Sequence, residues 1–148
     1  MGAHPDSDLH PVATGRAKAV VDAHQQDEPL KLYSGWLYVR HALSLPPDTH
    51  RCDSCPFVQR SWAVLEEKKI PYEYVEVNPY NKPQSLLSLN PRGLVPTLQY
   101  DDKPLFESTV ICEFLEEAFP EHTPHLLPKD PYERGRIRIW TDYCVSSS

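Results

Sequence analysis

Proline sets the grain of this chain. Its 148 residues hold sixteen prolines against five glycines, about twice the ordinary proline share. A proline fixes φ and offers no N–H, so it suits the first turn of a helix, a turn, or a strand edge, and it ends most other elements that it meets. Here the prolines fall where elements should end rather than inside repeats, and the chain is divided into short, punctuated segments.

Residues 1–29 show no apolar stripe sustained at helix or strand spacing and are expected to form a disordered tail. Leu30-Lys31-Leu32-Tyr33-Ser34 alternates apolar and polar residues, which suits a first strand. Residues 37–54 contain Pro46-Pro47 and no sustained period, and read as a loop. Pro56 suits the first position of a helix whose stripe is Val58, Trp62 and Leu65, and Ile70-Pro71 stops it. Tyr72 to Val77 is aromatic and β-branched and predicts a second strand, closed by the turn Asn78-Pro79-Tyr80-Asn81. A short helix over Pro83 to Leu89 follows, then a hairpin of Val95–Tyr100 and Pro104–Phe106 around Asp101-Asp102-Lys103. Ser108 is a good N-cap for a helix in which Ile111, Phe114, Leu115 and Ala118 share a face, ended by Phe119-Pro120. Residues 121–131 form a connector, and Tyr132 to Tyr143 another helix. The fold class is α/β, in the order β-α-β-α-β-β-α.

Several function classes are excluded early. Apolar residues at 40% are enough for the core of one ordinary domain, and no run of about 18 apolar residues could span a membrane. A formal charge of −6 and a pI of about 5.6 have the wrong sign for phosphate neutralisation, so nucleic-acid and membrane partners are not expected. Met1-Gly2-Ala3-His4-Pro5-Asp6 has no basic or apolar leader, and Asp6 replaces the serine or threonine of a myristoylation signal. A cytoplasmic, reducing location is expected. There the four cysteines, Cys52, Cys55, Cys112 and Cys144, serve as small hydrophobes, metal ligands or catalytic thiols rather than disulfides.

Three places could carry chemistry. Cys55, just before a helix-start proline, would meet unpaired N–H groups and the positive end of a helix dipole, which favour a thiolate; the plain alternative is a buried, inert cysteine. Pro96 opens a strand. A cis Val95–Pro96 bond would aim the backbone of Val95 outward, where it could bind a peptide, whereas an ordinary edge proline would do nothing further. Glu107-Ser108 at a helix start could hold the amino and carboxylate groups of an α-amino acid, or could simply cap the helix.

Taken together, Cys55-Pro56-Phe57, Asn81-Lys82-Pro83, Asn90-Pro91-Arg92-Gly93-Leu94-Val95-Pro96-Thr97-Leu98 and Phe106-Glu107-Ser108 resemble, in order and spacing, the N-terminal domain of omega-class glutathione transferases. The resemblance covers roughly Lys31 to Tyr143 apart from the loop. It implies a thioredoxin-like, glutathione-binding domain over 30–120, with 121–148 the linker and first, incomplete helix of an all-helical second domain. It further implies that Cys55 is the nucleophile and that Pro56, Phe57, Lys82, Val95, Pro96, Glu107 and Ser108 form the glutathione site. Lys82 and Val95 would hold the glutathione backbone, Glu107 and Ser108 would hold its γ-glutamyl end, and Val95–Pro96 would be cis. Glutathione is then the co-substrate and no metal is implied. The implied reactions are thiol transfer, deglutathionylation and dehydroascorbate reduction through a mixed disulfide. The implied partners are a disulfide, an electrophilic small molecule or a glutathionylated protein, with a homodimer as the assembly.

The sequence departs from this pattern in two ways. Family members pass from the first strand to the cysteine in a few residues, whereas eighteen separate Trp36 from Cys55. Residues 37–54 also read as a translated, unspliced intron. If Leu37-Tyr38-Val39 is TTG-TAT-GTN and Ser54 is AGT or AGC, excision leaves a phenylalanine codon and restores Trp-Phe-Cys-Pro-Phe. The insert creates Cys52-Asp53-Ser54-Cys55, in which Cys52 could act as a resolving thiol, and a zinc site of Cys52, Cys55, His122 and His125 has feasible ligand types. The second departure is that Ser148 falls inside the first helix of the second domain. Two other readings therefore stand beside the enzyme: a catalytically impaired binding or regulatory module, and a stand-alone glutaredoxin-like domain.

Overall fold

The computed structural model describes residues 15–37 and 53–146. Cys52 and most of the 37–54 insert lie outside the described residues. The elements run α1 (Gly15–Ala23), β1 (Leu30–Leu37), β2 (Asp53–Ser54), α2 (Pro56–Lys68), β3 (Glu73–Val77), α3 (Gln84–Leu89), β4 (Thr97–Tyr100), β5 (Lys103–Phe106), α4 (Ser108–Ala118) and α5 (Pro131–Ser146). From β1 onward, with β2 set aside, this is the thioredoxin-like order read from the sequence.

Strand β1 is the centre of a mixed sheet. It pairs in parallel with β3, Leu32 opposite Tyr74, and antiparallel with β4, Leu32 opposite Leu98. β5 closes the edge against β4. The alternation of β1 sends Leu30 and Leu32 to one face, where they pack with Leu65 of α2 and Ile111 and Leu115 of α4. Tyr33 points to the opposite face, where it meets Val77 and Leu86 of α3. The sheet is thus buried on both sides, a three-layer α/β arrangement. The expected stripes hold at Val58, Leu65, Ile111 and Leu115, all fully buried, but Ala118 is exposed, because α4 ends there and its last turn faces solvent.

Two expectations are corrected. Residues 15–29 are not a featureless tail. They carry α1 and approach the sheet, with Val21 packed on the core and the Tyr74 amide donating to the His24 carbonyl at 2.8 Å. No long apolar stripe is needed, since one valine and one histidine make the contacts. Ser108 is not the N-cap of α4 but its first residue; Glu107 is the cap, at φ 74° and ψ 114°.

Around the C-terminal end of α2 the chain is clamped from two sides. The Lys68 ammonium is fully buried and donates to Glu116 Oε2 of α4 at 2.9 Å and to the His122 carbonyl at 2.8 Å. Glu116 also accepts the Leu126 amide at 3.2 Å. The connector after α4 is therefore tied to α2 and α4 by one buried ion pair. Both Val95–Pro96 and Thr123–Pro124 are cis.

Candidate functional site

The residues flanking the insert bring the thiol to the sheet. Leu37 pairs with Asp53 and Trp36 with Ser54 in a short antiparallel ladder, and the Cys55 amide donates to the Gly35 carbonyl at 3.3 Å. Cys55 is then the N-cap of α2, followed by Pro56 at the first helical position, as the sequence predicts. Its thiol is free and half-buried. Gly35 has a specific task, because a Cβ there would come within 2.9 Å of Val95 Cγ2. Only a bare α-carbon lets the β1 end, the Cys55 turn and the Val95 segment pack this closely.

The opposite wall is a turn built around a buried amide. Asn90 Nδ2 donates to the Leu94 carbonyl at 3.3 Å and to Thr97 Oγ1 at 3.2 Å, while its Oδ1 accepts the Arg92 amide at 3.1 Å. Thr97 Oγ1 donates to the same Leu94 carbonyl at 2.8 Å. Gly93 stands in the left-handed region at φ 60°, its amide donating to the Asn90 carbonyl at 2.7 Å. The Lys82 side chain lies across it, so that a Cβ on Gly93 would be 2.8 Å from Lys82 Cδ. Val95 lies before β4, whose pairing with β1 begins at Thr97. At the rim, Arg92 Nη1 meets Glu107 Oε1 at 3.4 Å, an exposed pair.

These segments enclose a cleft of about 380 Å³ lined by Cys55, Phe57, Lys82, Val95, Pro96, Glu107 and Ser108, together with Gly35, Asn90, Arg92 and Gly93. A volume of this size suits a small ligand. The sequence profile of the family "Glutathione S-transferase, N-terminal domain" matches residues 54–118, the stretch that supplies nearly all of these residues. The chain carries a glutathione S-transferase N-terminal domain.

Comparison with known proteins agrees with this assignment. Mouse glutathione S-transferase omega-1 is 45% identical over 86 residues, 57% of this chain and 35% of the mouse protein. The crystal structure of glutathione transferase Omega 3C from Trametes versicolor superposes with a TM-score of 0.74 at 50% identity, over 88% of this chain and 48% of that one. That of rice GST1, in complex with glutathione, gives a TM-score of 0.64 at 32% identity, over 80% and 48% of the two chains. The chain spans less than half the length of the curated relatives it matches.

Of the residues expected to form the glutathione site, the glutathione S-transferase domain gathers all but Pro56 on the cleft wall; Pro56 starts the helix beside it. The zinc alternative does not assemble. Cys55 caps the start of α2, whereas His122 bonds the Lys68 carbonyl at the other end of that helix, about 20 Å away at the ordinary helical rise. Among the described residues no group of His, Cys, Asp and Glu could hold a metal ion. Cys112 lies away from this cleft, and burial pushes its thiol up from the ordinary range, with Ser61 and Arg60 opposing that rise. The sequence alone assigns no site role to Gly35, Asn90 or Gly93. The signals available are a glycine just after the alternating Leu30–Ser34 run, an Asn just before Pro91 and a Gly between Pro91 and Pro96.

Proposed function

We propose that this domain performs glutathione-dependent thiol–disulfide exchange of the omega type, with Cys55 as nucleophile. The observation that carries the reading is the convergence of Cys55, Lys82, Val95, Glu107 and Ser108 on one cleft from separate parts of the chain. The position of Cys55 supports the chemistry. Cys55 stands at the start of α2 on the cleft wall, and in thiol–disulfide exchange the thiolate is the attacking form.

In the proposed cycle, the Cys55 thiolate attacks the glutathione sulfur of a mixed disulfide. The Cys55–glutathione bond forms, the sulfur–sulfur bond of the substrate breaks, and the substrate thiolate leaves and takes a proton. A second glutathione thiolate then attacks the sulfur of the bound glutathione, releasing oxidised glutathione and restoring the Cys55 thiolate. Lys82 and the Val95 backbone are assigned to the glutathione main chain, and Glu107 with Ser108 to its γ-glutamyl end. Glu107 has the right charge for an amino group, and Ser108 opens a helix whose first-turn amides suit a carboxylate. Dehydroascorbate reduction, the co-substrate and a homodimeric assembly belong to the whole protein and are proposed on the likeness to omega-class relatives, as is a reducing, cytoplasmic setting.

Intact mass with peptide mapping, after incubation with oxidised glutathione, tests the assignment. One glutathione on Cys55, formed faster than on Cys112 or Cys144 and lost in Cys55→Ser, is the expected result. Equal, slow labelling of all cysteines would overturn it and leave a binding module in place of an enzyme.

A further inference from the structure

The charges of the cleft and of glutathione are opposites. Among the described residues, the charged side chains on the cleft wall are Lys82, Arg92 and Glu107. Glutathione at neutral pH carries two carboxylates and one ammonium. Two cations and one anion therefore face two anions and one cation. With Lys82 on the glutathione main chain and Glu107 on the γ-glutamyl amine, one cation of the wall, Arg92, and one carboxylate of the ligand, that of the γ-glutamyl residue, are left to each other.

Arg92 stands beside the place where that carboxylate would lie. Its amide donates to Oδ1 of the buried Asn90 at 3.1 Å, which fixes its backbone, and its Nη1 donates to Glu107 Oε1 at 3.4 Å. The two side chains are 66% and 61% exposed, and a long, exposed pair of this kind adds little to stability. Glu107 nevertheless holds its backbone at φ 74°, in the left-handed region that a residue with a Cβ enters only at a cost. Its side chain makes no capping bond, so the first amides of α4 have no side-chain partner. Strain at a residue that neither caps its helix nor buries its side chain marks a binding site. The adjacent guanidinium and carboxylate match an ammonium and a carboxylate carried on one carbon. Arg92 has further N–H donors and Glu107 a second oxygen, so each can take its ligand group while their own contact persists.

We propose that Arg92 is a specificity-determining residue of the glutathione cleft: it holds the γ-glutamyl α-carboxylate while Glu107 holds the neighbouring ammonium. The cleft then selects thiols that carry a free α-amino-acid end. This inference rests on the glutathione reading of the cleft and adds to it the group that reads the carboxylate.

Titration calorimetry of the full chain and of Arg92→Gln tests it with two unreactive ligands. One is S-methylglutathione; the other replaces its γ-glutamyl residue by γ-aminobutyryl, which keeps the amine and lacks the α-carboxylate. The unmodified chain should bind S-methylglutathione about ten-fold more tightly than the analogue, the value of roughly one charge-assisted hydrogen bond. Arg92→Gln should lose about ten-fold for S-methylglutathione and less than about two-fold for the analogue, with its thermal unfolding unchanged. An equal loss for both ligands would make Arg92 a support for Glu107 alone, and tighter binding in Arg92→Gln would make it a competitor for Glu107; either overturns the proposal. Unchanged binding of S-methylglutathione by Arg92→Gln would overturn the role of Arg92 and leave the glutathione reading standing, whereas an unmodified chain that binds neither ligand would overturn both.

Discussion

Replacing Lys68 by methionine isolates the buried pair that ties the connector to the domain. The Lys68 side chain has no exposed surface and that of Glu116 only 8%. In Lys68→Met the Glu116 carboxylate keeps the Leu126 amide at 3.2 Å and the rim contact with His125 at 3.6 Å, but loses its only buried cation, and the His122 carbonyl loses its donor. Removing one partner of such a pair costs about 3–5 kcal/mol. At about 4 °C per kcal/mol for a domain of this size, Tm should fall by roughly 12–20 °C near neutral pH. Acid should narrow the gap. Burial pushes the Glu116 carboxyl up, yet the Lys68 ammonium and the Leu126 and Leu127 amides outweigh it and hold the group below its usual 4.5. A carboxyl depressed in the folded state stabilises the protein above its ordinary value and loses that contribution as the pH falls through the folded value. Without Lys68 the burial is opposed only by the Leu126 and Leu127 amides, the carboxyl rises from its value in the unmodified protein, and the penalty shrinks as the pH falls. Lys68→Met/Glu116→Leu, which removes both charges, should recover most of the loss. Thermal unfolding of the four proteins of this cycle is the assay. A single-variant loss below about 1 kcal/mol, or a double variant as unstable as the sum of its parts, would refute the account.

Two glycine substitutions probe the glutathione cleft. Gly35→Ala drives a Cβ to within 2.9 Å of Val95 Cγ2 and should cost about 1–3 kcal/mol and weaken glutathione binding; Gly35→Ala/Val95→Ala should restore Tm, as thermal unfolding and a glutathione titration would show. Gly93→Ala combines a residue at φ 60° with a Cβ 2.8 Å from Lys82 Cδ. It should lose about 1–2 kcal/mol of stability and raise the KM for glutathione with little change in kcat, and an unchanged KM would show that Lys82 does not hold glutathione there.

The parts of this fold that were legible in the sequence share a physical cause. Pro56 fixed the start of α2, and the Val58–Leu65 and Ile111–Leu115 spacings fixed the buried faces of two helices, because helix start and periodicity are local properties. The hairpin turn was also local, with Asp101 at φ 51° between β4 and β5. What stayed hidden depended on distant partners. Helix α1 is weakly amphipathic and is held by Tyr72, Tyr74 and Glu66, some fifty residues away in sequence. Lys68 reads as a solvent-facing lysine in a charged run until the fold sets Glu116 and the His122 carbonyl around it. Asn90 is the same case in the site, since its partners Leu94 and Thr97 are near in sequence but only the turn makes it a buried post.

The insert before Cys55 is accommodated by the residues that flank it. A longer loop costs little in closure entropy, about 0.6 kcal/mol for each doubling, so the demand that an insert places on the site is geometric. The geometry is met at the ends. Trp36 and Leu37 continue β1, Ser54 and Asp53 return antiparallel to them, and the Cys55 amide bonds the Gly35 carbonyl. This two-residue ladder ends beside the thiol. The placement of Cys55 beside the Val95 segment is thus set by Gly35, by the Cys55 amide on its carbonyl and by this ladder.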